Sequence, residues 1–270
     1  MRASLILALH LTLLVTGAAG TLCAEVLPPE DIVAAAASVA QVPRGDLRPA
    51  EPELVRIPGG CFQMGSPPGE PGRHVDERRH RVCVDDFALA RFEVTEAQWK
   101  ALMGRQGSPT RLSGCGDCPV VNVSWGEALT YIERLNARTG KRYRLPTEAE
   151  WEFACRSGGR EERYCGGDDL DRLAWYEGNS RAEPQPVGRK RPNGLGLCDM
   201  SGNVSEWTCS IWDKAYGGAH TRCSDRTERG HRVHRGGSWE DGARWLRSAA
   251  RDWFAPAYRY EFLGFRLAGD

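Results

Sequence analysis

The sequence predicts an α+β domain, irregular and rich in loops, and three observations carry that reading. Two stretches, 55–65 and 81–89, read as half-buried strands, the second alternating apolar with polar residues. Three capping boxes follow, each opening a helix. After Gly158 the periodic patterning fades, while glycine (31) and tryptophan (9) are abundant, as in a core wrapped by turns.

Val55 to Gly65 reads as a strand, a Pro-Gly-Gly turn and a second strand. Arg81 to Leu89 reads as one further strand. Thr95 with Gln98 starts a helix over Glu96–Met103. Ser124 with Glu127 starts one over Trp125–Arg138, which Gly140 stops. Thr147 with Glu150 starts one over Glu148–Arg156. In each box the hydroxyl and the acid or amide three residues on satisfy each other's backbone donors.

The first 24 residues read as a cleaved signal peptide. Arg2 is the positive start, Leu5–Val15 the apolar run and Ala18-Ala19-Gly20 the small-residue cleavage region. That run is shorter than the ~20 residues a spanning helix needs, and no later stretch reaches that length. A periplasmic or secreted protein with no membrane span after cleavage is expected. Residues 25–53 read as a linker or N-terminal arm, and 54–270 as the domain. Acidic and basic residues balance, 36 against 36, which argues against nucleic acid as a partner.

Export permits disulfides. Sequence alone leaves the pairing open. The short-range candidates are Cys61–Cys83, Cys115–Cys118, Cys155–Cys165 and Cys209–Cys223, with Cys198 left over. Cys115-Gly-Asp-Cys118 also has the spacing of a redox pair or half a zinc site. It lies in a loop with no second CxxC, so a structural disulfide is the reading adopted.

Six motifs, in order along the chain, resemble the formylglycine-generating enzyme (sulfatase-modifying factor) family. They are Ile57-Pro-Gly-Gly-Cys-Phe-Gln-Met-Gly-Ser66, Phe92-Glu-Val-Thr-Glu-Ala-Gln-Trp99, Pro119-Val-Val-Asn-Val-Ser-Trp125, Arg144-Leu-Pro-Thr-Glu-Ala-Glu-Trp-Glu-Phe-Ala154, Gly196-Leu-Cys-Asp-Met-Ser-Gly-Asn-Val-Ser-Glu-Trp207 and the stretch Arg235–Ala268. The resemblance implies the family's irregular fold, related to C-type lectins. It also implies that the sequons at Asn122 and Asn203, which lie inside motifs, are structural.

Family members that make formylglycine hold copper(I) with two cysteines, in the region matching Trp239–Arg247. This chain has no cysteine after Cys223. Copper(I) needs soft thiolates, which Asp241, Ala243 and Arg244 cannot replace. The resemblance therefore implies no copper site and no sulfatase activation by that route. No nucleotide cofactor is expected. Ser238 matches the family's active-site serine and is the catalytic candidate, while Ser205 stands where the family has a tryptophan. Asp199, Gly202, Val204 and Glu206 match a structural calcium loop, so calcium is the expected cofactor. The iron branch's His-x3-His-x-Glu motif is missing. His231 and His234 have no carboxylate nearby in sequence, and they read, with His74, His80 and His220, as surface or loop-tying residues.

The exported branch without copper cysteines, which matures pyoverdine siderophores, fits best. It implies an oxidoreductase-like factor acting on a peptide or a peptide-derived small molecule. Glu127, Glu148 and Glu150 are candidate bases, although capping already explains Glu127 and Glu150. The alternative is a non-catalytic binding or accessory module. Related lectin-like folds vary the residues between fixed C-terminal anchors to hold a ligand or protein partner. Trp239, Glu240, Asp241, Trp245, Asp252, Phe254, Tyr258 and Tyr260 occupy those positions here.

Overall fold

Strands β1 (Leu54–Ile57) and β2 (Gly60–Met64) return as β3 (His80–Val84) and β4 (Phe87–Ala90) in a computed structural model that describes residues 51–104 and 114–269. The expected signal peptide, 1–24, and the arm up to residue 50 lie outside the described residues. The described residues belong to one unit, 47–270.

The stretch 81–89, expected as one strand, is two. Gly59 packs so closely on the turn between β3 and β4 that a Cβ there would meet Asp85 C and Val84 O at 2.5 Å. Asp86 Oδ1 accepts the Gly59 N–H at 2.7 Å. The ribbon therefore bends at both strands together. β2 and β3 form a two-stranded sheet of their own, while β1 and β4 join β10 (Ala268–Gly269) and β5 (Tyr143–Arg144) in the order β1-β4-β10-β5.

The helices follow their caps. α1 (Glu96–Met103), α2 (Trp125–Thr139) and α3 (Glu148–Cys155) each carry both halves of the capping box. α2 ends at Gly140, whose φ of +71° is left-handed, as glycine there allows. The faces of α1 and α2 bury Trp99 and Tyr131, stacked at 5.5 Å, against Phe265 from the C-terminal stretch. Trp151 of α3 anchors a second core with Phe62, Met64 and Leu89.

A third sheet runs β8 (Arg251–Phe254), β7 (Arg232–Arg235), β6 (Ser205–Ile211), β9 (Leu263–Gly264), with β6 and β9 parallel. Between α3 and β6 lie only a short helix α4 (Leu170–Leu173) and loops. Side chains order those loops in place of a ladder. Asn193 accepts the N–H groups of Leu195 and Leu197, and donates to the carbonyls of Ala154 and Cys155. Asn203, at φ +58° and fully buried, donates to Glu93 and accepts from Gln185 N, in keeping with a structural role. Such contacts have no period along the chain, which is why patterning fades there.

The four expected disulfides are all present, and Cys198 is buried and free. Each such bridge is worth about 2–4 kcal/mol, most of it from restricting the unfolded chain. They fit an oxidising compartment. Among the described residues no helix is long and apolar enough to cross a membrane.

Candidate functional site

β7 and β8 build one wall of a cleft of about 190 Å³. Directly opposed residues on antiparallel strands share a face. The register sets His234 opposite Asp252 and Arg232 opposite Phe254, so His234, Asp252 and Phe254 point the same way, and all three line the cleft. The loop after β7 adds Gly236, Gly237, Asp241 and Trp245.

Two left-handed glycines aim that loop. Gly236 and Gly237 have φ of +98° and +65°. A Cβ on Gly237 would stand 2.9 Å from the Trp245 carbonyl oxygen. The Gly236 carbonyl accepts the Gly202 N–H at 2.9 Å, and Trp239 N–H donates to the Asn203 carbonyl at 2.8 Å. The turn is thus fixed onto loop 199–204, and Asp241 is carried to the cleft wall.

Ser238 is fully buried and does not line the cleft. Its hydroxyl donates to Asp241 Oδ2 at 2.7 Å. Burial raises the Asp241 carboxyl, the Ser238 bonds restrain it, and the net value stays above the ordinary aspartate range. Burial also raises Asp252, whose Oδ1 accepts the Trp253 N–H. His234 is 6% exposed, stacks on Phe254 at 4.6 Å, and has no hydrogen-bond partner at Nε2. Burial, with the Arg235 charge beside it, lowers its pKa to about 3, so it is neutral at pH 7.

The arginines behind the cleft are closed into pairs. Arg251 grips Glu148 through two bonds, at 2.6 and 2.7 Å, under the rings of Trp212 and Tyr216. Arg235 pairs with Glu152 and lies over Trp151. Glu148 is therefore a structural anion and not a base in reach of a ligand. Glu127 and Glu150 cap their helices and bind Arg259 and Arg144. None of the three candidate bases reaches the cleft.

Of the expected ligand surface, Asp241, Trp245, Asp252 and Phe254 line the cleft. Trp239, Glu240, Tyr258 and Tyr260 do not. Trp239 donates its indole N–H to the Glu261 carbonyl. Tyr260 stacks on Phe262 at 4.9 Å and contacts Phe254 at 4.5 Å, so it backs two cleft residues, and Tyr258 stands 52% exposed beside them.

The expected calcium set is not arranged as ligands. Glu206 gives both oxygens to Arg266, at 2.6 and 2.7 Å, and one of them also to the Trp151 N–H. Asp199 Oδ2 accepts the Gly188 N–H, which leaves only the buried Oδ1 without a partner. Among the described residues no group of three or more His, Cys, Asp or Glu side chains is placed to hold a metal.

His234 contradicts the surface reading of the histidines, as does buried His220, whose Nε2 lies 3.3 Å from that of His80. Flanking polar residues in sequence hid both. The missed signal at His234 was the alternation of Arg232 and His234 against Asp252 and Phe254, which acquires meaning only once β7 and β8 are known to pair.

Residues 39–270 match the family model described as sulfatase-modifying factor enzyme 1-like domain. A hercynine oxygenase of Mycolicibacterium thermoresistibile is 33% identical over 240 residues, covering 71% of this chain and 52% of that protein, so the chain spans about half of it. The solved structure of PvdO from Pseudomonas aeruginosa superposes with a TM-score of 0.72 at 31% identity, covering 81% of this chain and 94% of that one. Treponema denticola variable protein 1 superposes with a TM-score of 0.71 at 26% identity, covering 80% and 94%. With the motifs, the irregular fold and the C-terminal cleft in agreement with the model match, the chain belongs to the sulfatase-modifying factor, or formylglycine-generating enzyme, family.

Proposed function

We propose that this protein is an exported, copper-free oxidoreductase of the family, maturing a peptide or a peptide-derived small molecule held in the cleft between β7–β8 and the Gly236-Gly237 loop. The observation that carries the reading is the convergence of Asp241, Asp252 and the neutral His234 on one concave site beside the Gly236-Gly237 loop. Likeness to PvdO and to a hercynine oxygenase supports the reaction class. Oxidation of a C–H or N–H bond needs a group to take the proton, and carboxylates made more basic by burial suit that task. Ser238 acts through Asp241, orienting it and restraining its pKa, as a positioning residue. The two electrons removed from the substrate go to molecular oxygen, taken up as a co-substrate.

The four disulfides support a periplasmic or secreted location, with residues 1–24 as the signal peptide, 25–53 as an arm and 54–270 as the domain. For calcium, support is narrowed to the buried, unpartnered Asp199 Oδ1. A melting curve with and without chelator tests it, and the absence of any shift would remove calcium from the account.

The test of function is oxygen uptake and product mass, measured on the mature protein with peptides and peptide-derived heterocycles. Turnover that disappears in Asp241→Asn supports the proposal. Tight binding with no product favours the second reading, a ligand-binding module. What supports that one is the aromatic cluster in which exposed Tyr258 meets half-buried Phe254 and Tyr260, together with likeness to the Treponema protein.

A further inference from the structure

The cleft is defined chemically by the charges that remain after its neighbours are paired. Its two arginines, Arg235 and Arg251, are matched by two buried glutamates, Glu152 and Glu148. Asp241 and Asp252 are matched by no ion pair among the described residues. Arg244 lowers the Asp241 pKa only slightly beside the effect of burial, and its guanidinium lies over the Trp245 ring at 4.8 Å. Asp252 feels Asp76 and Asp241 as like charges and His74 as an opposing one. Two carboxylates thus face a concave site with no ion-pair partner among the described residues.

A second observation is independent of those acids. His234 is more than nine-tenths buried, lines the same cleft and has an unpartnered Nε2. A buried polar atom left without a partner is costly, and in a native protein such an atom calls for an explanation. In the neutral tautomer that carries its hydrogen on Nδ1, the ring offers Nε2 as an acceptor for an N–H or O–H donor from whatever enters. Phe254 and Phe262, 6.2 Å apart, supply aromatic surface at the same place, with Trp245. Aromatic faces attract cations, and more strongly where water is excluded.

Resting on the reading of this cleft as the substrate site, we propose that it takes a protonated nitrogen group, an ammonium or amidinium on a small molecule or peptide side chain, held between Asp241 and Asp252 and donating to His234 Nε2. An anion would meet two like charges, and a neutral group would leave both carboxylates desolvated and unpaired.

Calorimetric titration of the mature protein with three probes of one shape tests this: phenethylammonium, 2-phenylethanol and phenylacetate. The ammonium is expected to bind about tenfold or more tightly than the alcohol, with the carboxylate weakest. Asp241→Asn and Asp252→Asn should each shrink that preference, and the pair should abolish it. Equal binding of the three, tighter binding of phenylacetate, or an ammonium preference that survives in the double variant overturns the proposal. If the double variant fails to fold, as judged by its melting curve, the order of the three probes on the wild-type protein still decides. Binding without turnover keeps this outcome separate from the oxidoreductase reading. An ammonium preference with no oxidation of any substrate sinks only that reading, and oxidation of neutral substrates with no charge preference sinks only this one.

Discussion

Ser238 donates its hydroxyl hydrogen to Asp241 Oδ2 at 2.7 Å, so a fully buried serine holds a carboxylate that lines the cleft. Charge-assisted bonds of this kind favour the ionised acid. Ser238→Ala is therefore expected to raise the Asp241 pKa further and to move the acidic limb of any pH–rate profile upward. Carboxyl-labelled NMR titration of Asp241 reads the shift, and an unchanged value would mean that the serine does not tune it.

Arg247 holds Glu77 and Glu70 at 2.6 Å, with all three largely withdrawn from water. Removing one partner of such a pair strands a buried charge, at a cost of about 3–5 kcal/mol. Arg247→Met should lower the melting temperature accordingly. Burial by itself would raise Glu77, but Arg247 and the Ser66 hydroxyl outweigh it and hold it below the usual glutamate value. Its contribution is thus present above the unfolded pKa and is lost as pH falls through the lower folded one. The acid sensitivity of wild type between those values should be smaller in Arg247→Met.

His234 works in the opposite chemical sense with the same outcome. Its folded pKa, about 3, lies below the ordinary histidine value because the buried ring resists charging. Between those two values the unfolded chain binds the proton and the folded one does not, so stability declines as pH falls through that window. The slope from this one group is at most about 1.4 kcal/mol per pH unit. His234→Phe retains a ring to stack on Phe254 and should flatten the slope. Parallel denaturation curves for the two proteins from neutral pH downward would contradict the buried placement.

Gly237 sits at φ +65° with the Trp245 carbonyl against it. Gly237→Ala should cost about 1–3 kcal/mol from the backbone conformation alone. The clash should also displace the loop that carries Asp241, so ligand binding should fall along with the melting temperature. A fully stable, fully binding variant would show that the turn is not the device that aims the loop.

Local chemistry was legible in the sequence and pairing over distance was not. Thr95, Ser124 and Thr147 announced their helices because a capping box is closed within four residues. The disulfides were legible because each partner lies within 22 residues of the other. Glu206 looked like a calcium ligand because nothing near it in sequence shows that Arg266, sixty residues on, takes both its oxygens. Ser238 looked catalytic because the motif fixes its identity and not its depth. His234 looked exposed because its polar neighbours point to the other face of β7 or end the strand. The bend at Asp85-Asp86 was hidden because Gly59, which packs on it, lies in the turn between β1 and β2, 27 residues before Asp86.

Chemistry at this site is proposed not to run through copper, because the stretch Trp239–Arg247, where copper(I) would need thiolates, carries Asp241 and no cysteine. The most direct test is a copper(I) titration of the mature, disulfide-bonded protein, with metal content read after desalting and a sulfatase-type cysteine peptide followed by mass spectrometry in the same samples. The account predicts no stoichiometric copper and an unmodified peptide. One copper per chain with conversion of the cysteine to formylglycine would contradict it.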